Sequence, residues 1–156
     1  MMHQLINPSK ALRTLRKTPA MLQHALVGLT QHEATSRRDG SDGWNILFIV
    51  CHLYDIEGLY IERIQLLLNQ PGAIFTNISN DDLIARNHYE AQQIDHALAG
   101  YLAQRQTCIR LLEGLTDQQW QIAGIHPQQG PASILDVAIN IGLHDIDHIE
   151  QILRCA

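Results

Sequence analysis

The stretch NILFIVCHLYDIEGLYIERIQLLLN, residues 45–69, decides the fold. Its apolar side chains recur every three or four positions, which is the spacing of one face of an amphipathic helix. They are Ile46, Ile49, Leu53, Ile56, Tyr60, Ile64 and Leu67. Gln70-Pro71-Gly72 follows, and such a turn sequence does not continue a helix. The segment therefore predicts one helix from Asn45 to about Asn69, long enough to be a main helix of a bundle.

The N-terminal part of the chain carries two start signals for helices. Asn7-Pro8 opens a short basic helix that ends near Lys17, because proline suits the first position of a helix. Thr18-Pro19 repeats this signal, and apolar side chains follow at helical spacing over residues 19–29. We therefore expect two consecutive helices with a break between them.

The C-terminal half predicts two more helices. The spacing of apolar residues predicts one from Ser79 or Asn80 to about Gly114. Ser133 with Asp136 forms a capping box before a last helix that runs to about Arg154. Residues 123–132 are expected to form a loop, and no segment alternates for long enough to predict a strand. Together these helices predict an all-α fold, a four-helix bundle.

A short repeat relates the two halves of the chain. Gly28-Leu29-Thr30 precedes a capped turn of helix, a loop and a long helix, and Gly114-Leu115-Thr116 precedes the same series. Three common residues also recur by chance, so both interpretations stay open. If the repeat is real, the bundle consists of two helical hairpins, and residues 70–79 form the crossover between them.

Composition and charge exclude several classes of protein. The chain has 156 residues, of which 46% are hydrophobic and 17% charged, so we expect one folded domain over residues 1–156. Eleven basic against 16 acidic residues give a net charge of −5, which argues against nucleic-acid partners. No apolar run is long enough for a membrane span, and the N-terminal residues lack the apolar core of a signal peptide. Three cysteines without paired spacing predict reduced thiols in the cytoplasm.

Histidine is the unusual residue, with nine in the chain. His144 and His148 are four positions apart, which stacks both imidazoles on one face of the last helix. Two partly buried core histidines would have the same spacing, so the pair alone does not establish a metal site. His52 lies on the apolar side of its long helix, beside Ile49 and Ile56. If the two helices run antiparallel, all three histidines lie at nearly the same level of the bundle.

Two segments combine these histidines with a specific pattern of neighbours. Trp44 precedes a helix that carries His-Leu-x-Asp-x-Glu at residues 52–57. The last helix carries His-Asp-x-x-His-x-x-Gln at residues 144–151, after a His-Pro turn at residues 126–130. In the order and spacing of these motifs the sequence resembles the DinB/YfiT-like family of metal-dependent enzymes, in its DinB-like subgroup. The likeness covers about residues 18–154.

The resemblance implies a fold, a metal and a class of activity. The implied fold is a four-helix bundle with up-down-down-up order and a crossover between its second and third helices. The implied cofactor is one divalent metal ion, zinc or nickel, held by His52, His144 and His148. Some members are transferases that use low-molecular-weight thiols, whereas others are described as hydrolase-like. A small-molecule substrate and a homodimer are expected, with no nucleic-acid or membrane partner.

Three neutral imidazoles leave at least one coordination position open. This is the arrangement of a catalytic zinc site, whereas a structural site is closed by four protein ligands. Our hypothesis is therefore a metal-dependent enzyme whose ion activates a thiol or a water molecule. The alternative hypothesis is a non-catalytic stress-response or interaction module, in which the metal is structural or absent.

Further polar residues near the motifs are candidates for supporting roles. Asp55 and Asp147 each follow a candidate ligand by three positions, so either could accept a ring N–H or carry a proton. An aspartate beside an inner helix face is more often at its solvated edge, so both interpretations stand. Asn140 lies one turn before the last histidine pair and could face a pocket. Cys51 points about 100° away from its histidine neighbour, which makes it a poor ligand candidate.

The remaining notable residues have simpler interpretations. The spacing of Asp145 and His148 is that of di-iron bundles, but no second copy of that motif is well placed. The family likeness implies a turn role for His126. We expect two tryptophans to pack at helix starts and five histidines to lie at the surface or its edge. These residues are Trp44, Trp120, His3, His24, His32, His88 and His96.

Overall fold

The structure, a computed structural model, describes residues 5–156, so His3 lies outside the described residues. Helices dominate it, with one short β-hairpin before the last helix. The elements are α1 (Pro8–Ala25), α2 (Gln31–Ser36), α3 (Ile46–Asn69), α4 (Asn80–Asn87), a 3₁₀ turn (Tyr89–Ala91), α5 (Ile94–Glu113), α6 (Asp117–Trp120), β1 (Ala123–His126), β2 (Gly130–Ser133) and α7 (Ile134–Arg154). Within residues 5–156, none of the helices combines the length and apolar character needed to cross a membrane.

Four long helices, α1, α3, α5 and α7, form the bundle. Helix α3 packs against α5 and α7, and α1 packs against the same two helices. The first and second bundle helices, α1 and α3, therefore stand diagonally, as do the third and fourth, α5 and α7, so the expectation of two helical hairpins is wrong. Helices α1 and α7 run parallel, as do α3 and α5, whereas α3 is antiparallel to α7. The contacts that define these directions are Thr14–Gly142, Thr18–Asp145, Tyr54–Gly100, Glu57–Arg105, His52–His148 and Tyr60–Asn140. The up-down-down-up order is confirmed.

The expected break at Pro19 is absent, because α1 continues through this residue. Proline has no N–H, so it leaves the carbonyl of Leu15, four positions earlier, without its helical donor. The guanidinium of Arg105 takes that place, with Nη1 donating to the Leu15 carbonyl over 3.2 Å. A tertiary contact therefore satisfies the one backbone group that the proline frees.

The expected long helix over residues 80–114 is divided into α4 and α5. His88 ends α4 in the left-handed region with φ 47°, and the 3₁₀ turn follows. Side chains stabilise this break: Gln92 donates to the backbone carbonyl of Asn87, and Asp55 accepts from both Asn87 and Tyr89. Apolar spacing alone could not reveal these contacts, since they come from polar side chains.

The expected loop at residues 123–132 is an antiparallel hairpin of β1 and β2. Each strand has four residues, too few for an alternating pattern to be visible in the sequence. The crossover segment pairs with the hairpin, since the backbone groups of Ala73 and Phe75 bond Ile125. At Gly124 an added Cβ would lie 2.4 Å from Leu67 and 2.5 Å from the Ala73 carbonyl, so glycine alone permits this approach.

The two halves of the chain follow the same plan. Gly28-Leu29-Thr30 precedes α2 and Gly114-Leu115-Thr116 precedes α6, and both threonines form the predicted capping boxes. A segment closed by antiparallel pairing follows each short helix, through the Arg38–Asn45 bridge in the first half and the β1–β2 hairpin in the second, and a capped long helix follows that. Asn45 caps α3 and Ser133 caps α7, each by accepting from a backbone N–H three residues on. The chain thus repeats a helix, a short capped helix and a long helix, as the sequence repeat suggested.

A polar layer divides the core into two apolar clusters. One cluster contains Leu22, Leu53 and Ile149, and the other contains Leu15 and Ile141 among its members. Between them lie four side chains that are at most 2% exposed, one from each bundle helix. They are Thr18, Glu57, Arg105 and Asp145.

Arg105 is the centre of this layer. Its Nε and Nη2 atoms bond Glu57 over 2.6 and 2.8 Å, and its Nη2 lies 2.8 Å from Asp145. Thr18 accepts from the Arg105 Nη1 over 2.9 Å and donates to Asp145 over 2.5 Å. Burial raises the pKa of Glu57, although its bonds to Arg105 act in the opposite direction. One cation therefore holds two buried carboxylates, and through them all four bundle helices.

Replacing Arg105 by leucine should lower the free energy of unfolding by about 3–5 kcal/mol, because two buried carboxylates lose their counter-charge. Urea unfolding followed by circular dichroism measures the effect. Arg110→Leu is the matched control, since Arg110 is exposed on the same helix and its side chain bonds Thr107, one turn away. Equal unfolding midpoints for the two variants would contradict the central role of Arg105.

Candidate metal centre

The antiparallel packing of α3 and α7 brings three histidines together. His52 lies in the first half of α3, and His144 and His148 lie one turn apart on α7. The Nε2 atoms of His52 and His144 are 3.0 Å apart, and the three ring centroids are 4.5–5.0 Å from one another. One nitrogen from each ring lies within 4.8 Å of the other two. Three potential ligand atoms therefore surround a common point.

Two of the three histidine rings, those of His52 and His144, are held in their neutral form. Burial lowers the pKa of His52 to about 3, and the proximity of His148 acts in the same direction. Burial also lowers the pKa of His144 to about 3, with further contributions from His148 and His52. A neutral imidazole is the form that binds a metal ion. At neutral pH the rings of His52 and His144 are therefore ready to act as ligands without losing a proton.

A chain of hydrogen bonds orients His148. Its Nδ1 donates to the side-chain oxygen of Gln151 over 2.8 Å, since a carbonyl oxygen can only accept. The Gln151 amide donates in turn to Asp39 over 3.1 Å, and Arg154 pairs with Asp39 over 2.9 Å. With its proton on Nδ1, His148 keeps Nε2 free as a ligand, which is the usual role of such an outer contact.

The loop at residues 37–45 supplies two of the neighbours of the site. It places Asp39 beside Gln151 and brings the Trp44 ring to 5.2 Å from the His52 ring. Its backbone closes between Asp39 and Trp44, and at Gly43 an added Cβ would lie 1.9 Å from the Asp39 carbonyl. Glycine is therefore required at this position for the loop to reach the histidines.

A cavity of about 500 Å³ opens beside the three histidines. Its other walls come from the loop before α3, from α3 itself, from the start of α4 and from the β-hairpin. They are Trp44, Ile56, Leu59, Tyr60, Arg63, Asn80, His126 and Gln128. Among the described residues that line it, none is Asp or Glu, and Arg63 is the one Lys or Arg. A substrate in this cavity would therefore meet a positive side chain and no carboxylate.

The donor set fits a divalent metal ion. Two nitrogens bound to one tetrahedral zinc ion at about 2.0–2.1 Å lie about 3.3–3.4 Å apart, close to the observed spacing of His52 and His144. Within residues 5–156, the three histidines are the one group of His, Cys, Asp or Glu with metal-ligand proximity. The group could hold a metal ion, and its fourth side faces the cavity.

The sequence profile of the DinB superfamily matches residues 14–152. The chain belongs to the DinB superfamily. Among curated proteins, none matches the chain significantly. The solved structures include a similar one, YfiT from Bacillus subtilis, which is described as a probable metal-dependent hydrolase with an unusual four-helix bundle topology. The TM-score is 0.82 at 20% sequence identity, and the match covers 98% of this chain and 89% of YfiT. At this identity the likeness shows a shared fold.

In this DinB-superfamily chain the candidate supporting residues lie in different places. Asp55 is not near the three histidines, since it bonds Asn87 and Tyr89 and lines a second cavity on the α4 side of α3. Asp147 is exposed. Asn140 donates to the hydroxyl oxygen of Tyr60 over 2.9 Å, so it supports a wall of the metal-centre cavity.

Several other sequence predictions are confirmed, and one is wrong. Burial raises the pKa of Cys51 to about 12, so this thiol is a poor ligand, and it lines the second cavity. The Nδ1 of His126 accepts backbone hydrogen bonds from Gln128 and Gln129, which is the expected turn role. Trp120 is buried in the core, but it is the last residue of α6, so the expectation that it packs at a helix start is wrong. Four histidines are exposed as expected: His24, His32, His88 and His96.

Sequence reasoning missed several walls of the site. Apolar spacing places Tyr60 in the apolar stripe of α3, and Arg63 follows it by three positions with no motif around it. Trp44 was expected only to pack at a helix start, and His126 only to form a turn. The one signal available for Gln151 was its place in the His-x-x-Gln pattern of the last helix, which indicated a neighbour but not its contact with His148.

The metal-free protein should lose stability as the pH falls below 6.5. Folded His52 and His144 stay neutral down to about pH 3, whereas in the unfolded chain they bind protons near their ordinary pKa of 6.5. The unfolded state therefore holds more protons, and the free energy of unfolding falls by about 1.4 kcal/mol per pH unit for one such group. Urea midpoints of chelator-treated protein between pH 7.5 and 5 measure this slope.

Two variants separate this effect from the titration of other groups. His144→Leu removes one buried histidine, so its stability should depend less steeply on pH than that of the native chain. His96→Leu removes an exposed histidine and should keep the native slope. If both variants show the same slope as the native protein, the buried histidines do not cause the loss.

Proposed function

We propose that this protein is a metal-dependent enzyme that acts on a small molecule, with hydrolysis as the reaction that its features support best. His52, His144 and His148 would hold one divalent ion, zinc or nickel. The observation that carries the proposal is a set of three inward imidazoles beside a cavity, with no fourth protein ligand within the described residues. The description of YfiT as a probable metal-dependent hydrolase supports the same reaction class.

A divalent ion with an open position would act as a Lewis acid and would lower the pKa of a bound water towards about 7. The chain's own residues would orient this centre and its substrate. Gln151 keeps the proton of His148 on Nδ1, so that Nε2 remains a ligand. Trp44 packs against His52 and restricts access of water to that side.

Tyr60 is placed to donate a hydrogen bond to a substrate. Its oxygen already accepts from Asn140, so its own hydroxyl proton is free for another partner. Burial raises its pKa, which keeps the hydroxyl protonated at neutral pH. A neutral donor in the cavity wall is suited to stabilising an oxygen that gains negative charge during the reaction.

Transfer of a low-molecular-weight thiol is a second candidate. The observation that favours it is the absence of carboxylates among the described residues of the cavity wall, where a general base would stand. A thiol has an ordinary pKa near 8.5 and ionises beside a cation without a dedicated base. The substrate-free geometry is compatible with either nucleophile, so the two candidates differ in the reactant and not in the metal ligands.

Metal analysis tests the common part of both candidates. Protein purified without a histidine tag should contain about one equivalent of divalent metal, and His144→Ala should lose most of it, because two imidazoles bind an ion far more weakly than three. His96→Ala should keep it, since this exposed side chain is remote from the cluster. Less than a tenth of an equivalent in the native protein, unchanged in His144→Ala, would refute the proposal.

Chelation separates a catalytic metal from a structural one, as in the non-catalytic module that is the alternative. If the ion is catalytic, removing it should lower the melting temperature only slightly, because the Arg105 layer and both apolar clusters remain. If the melting temperature falls steeply and no thiol or small inhibitor binds the metal-loaded protein, the ion is structural.

A cytoplasmic location and pairing of two copies stay predictions from the sequence.

A further inference from the structure

We propose that the cavity beside the three histidines binds a substrate with a carboxylate group, and that Arg63 is the residue that docks it. The inference rests on the proposed function, because it places the anionic end of the substrate in the same cavity as the metal ligands. It adds the chemical class of the substrate and a residue that determines specificity.

The charge of the cavity favours an anion. Arg63 is the one permanently charged side chain among the described residues that line it. A divalent ion held by the three histidines would add to this positive charge. Because no carboxylate lines the wall, a negative group entering the cavity meets no like charge.

Arg63 is held in place without using its capacity for an anion. Its guanidinium lies over the rings of Tyr60 and Phe75, with centroid distances of 5.7 and 5.3 Å. One nitrogen donates to the side-chain oxygen of Asn77 over 3.3 Å. Within residues 5–156 it forms no ion pair, although it is only partly exposed. A guanidinium has five N–H donors, so most of its donors remain available in a fixed orientation.

His126 provides a second donor in the same wall. Its Nδ1 accepts two backbone N–H groups, from Gln128 and Gln129, each over 3.2 Å. The ring proton therefore sits on Nε2, which makes this side of the ring a donor and not a base. His126 lines the metal-centre cavity together with Arg63. The backbone of the hairpin turn thus determines what this histidine can offer a substrate.

Apart from the metal position, the wall offers one cation and one neutral donor, Arg63 and His126, and this pair matches a carboxylate better than a phosphate. A carboxylate carries a single negative charge and accepts paired hydrogen bonds from a guanidinium. A phosphate monoester carries about −1.5 to −2 at neutral pH and is usually met by several cationic groups. We therefore assign Arg63 to a carboxylate.

Mercapto acids and the mercapto alcohols of the same length test the assignment. In both series the thiol would bind the metal, so a difference in affinity measures the contribution of the carboxylate. Zinc-loaded protein is titrated by calorimetry with mercaptoacetate, 3-mercaptopropionate and 4-mercaptobutyrate, and with the corresponding mercapto alcohols. At least one acid should bind roughly tenfold more tightly than its alcohol, the usual size of a charge-assisted contact. Arg63→Gln should abolish this preference and leave the affinity for the alcohols unchanged.

Two further variants control for folding and for overall charge. Arg63→Lys keeps the charge and should keep part of the preference, and its unfolding midpoint shows whether the packing on Tyr60 survives. Arg110→Gln removes an exposed arginine outside the cavity and should retain the full preference. If the acids show no preference in the native protein, or if Arg63→Gln preserves it, the assignment is wrong while the metal site stands.

A titration of the metal-free protein tests the anion site independently of the proposed function. Propionate is titrated into chelator-treated protein, and the Arg63 Nε–H signal is followed by NMR. The Arg63→Lys protein has no such signal, so its spectrum identifies the resonance. A saturable shift in the native protein, retained in Arg110→Gln, supports the anion site even if no metal binds. A shift that does not saturate in the native protein overturns it, whatever the metal analysis shows.

Discussion

The ion-paired layer around Arg105 is the constraint on which the rest of the structure depends. Each of the four bundle helices contributes one buried polar side chain to it, so the helices cannot slide or rotate independently without unpairing a charge. It also explains why Pro19 does not end α1, since Arg105 supplies the donor that the Leu15 carbonyl lacks. Asp145 belongs to this layer and is the sequence neighbour of His144. The register that the buried charges impose on α7 is therefore also the register of the candidate metal ligands.

Burial disfavours charge in both polar parts of the core, but the outcome differs because only one of them contains a counter-charge. In the polar layer, burial of Glu57 is compatible with stability because Arg105 lies against it. Among the described residues the histidine cluster contains no acid, so burial lowers the pKa of His52 and His144 and keeps these two rings neutral. A neutral nitrogen cluster and an ion-paired layer thus lie in one core. The histidine nitrogens remain available to bind a metal ion, whereas the carboxylates of Glu57 and Asp145 are already paired with Arg105.

Much of this arrangement was predictable from the sequence, and the exceptions share a cause. The bounds of α3 and α7 followed from apolar spacing and capping residues, and the convergence of His52 with the pair on α7 followed from the family resemblance and from helix levels. The continuity of α1, the break at His88 and the position of Asp55 did not, because each depends on a polar contact between residues far apart in the chain. The place of Arg63 in the cavity wall could not be predicted for the same reason. A lone arginine on a helix has no local pattern that distinguishes a cavity wall from a solvated surface.

Because the two halves of the chain repeat one plan, the side chains at equivalent positions of α3 and α7 can be compared. Counted from the caps of α3 and α7, His52 and Asn140 both stand at the seventh position, and Tyr60 and His148 both stand at the fifteenth. The contact between His52 and His148 therefore has a counterpart in the hydrogen bond between Asn140 and Tyr60. The two equivalent pairs therefore differ in chemistry, because one consists of two imidazoles and the other of an amide and a phenol. The amide–phenol pair bonds across the interface of α3 and α7, whereas the histidine pair leaves ring nitrogens available for a metal ion.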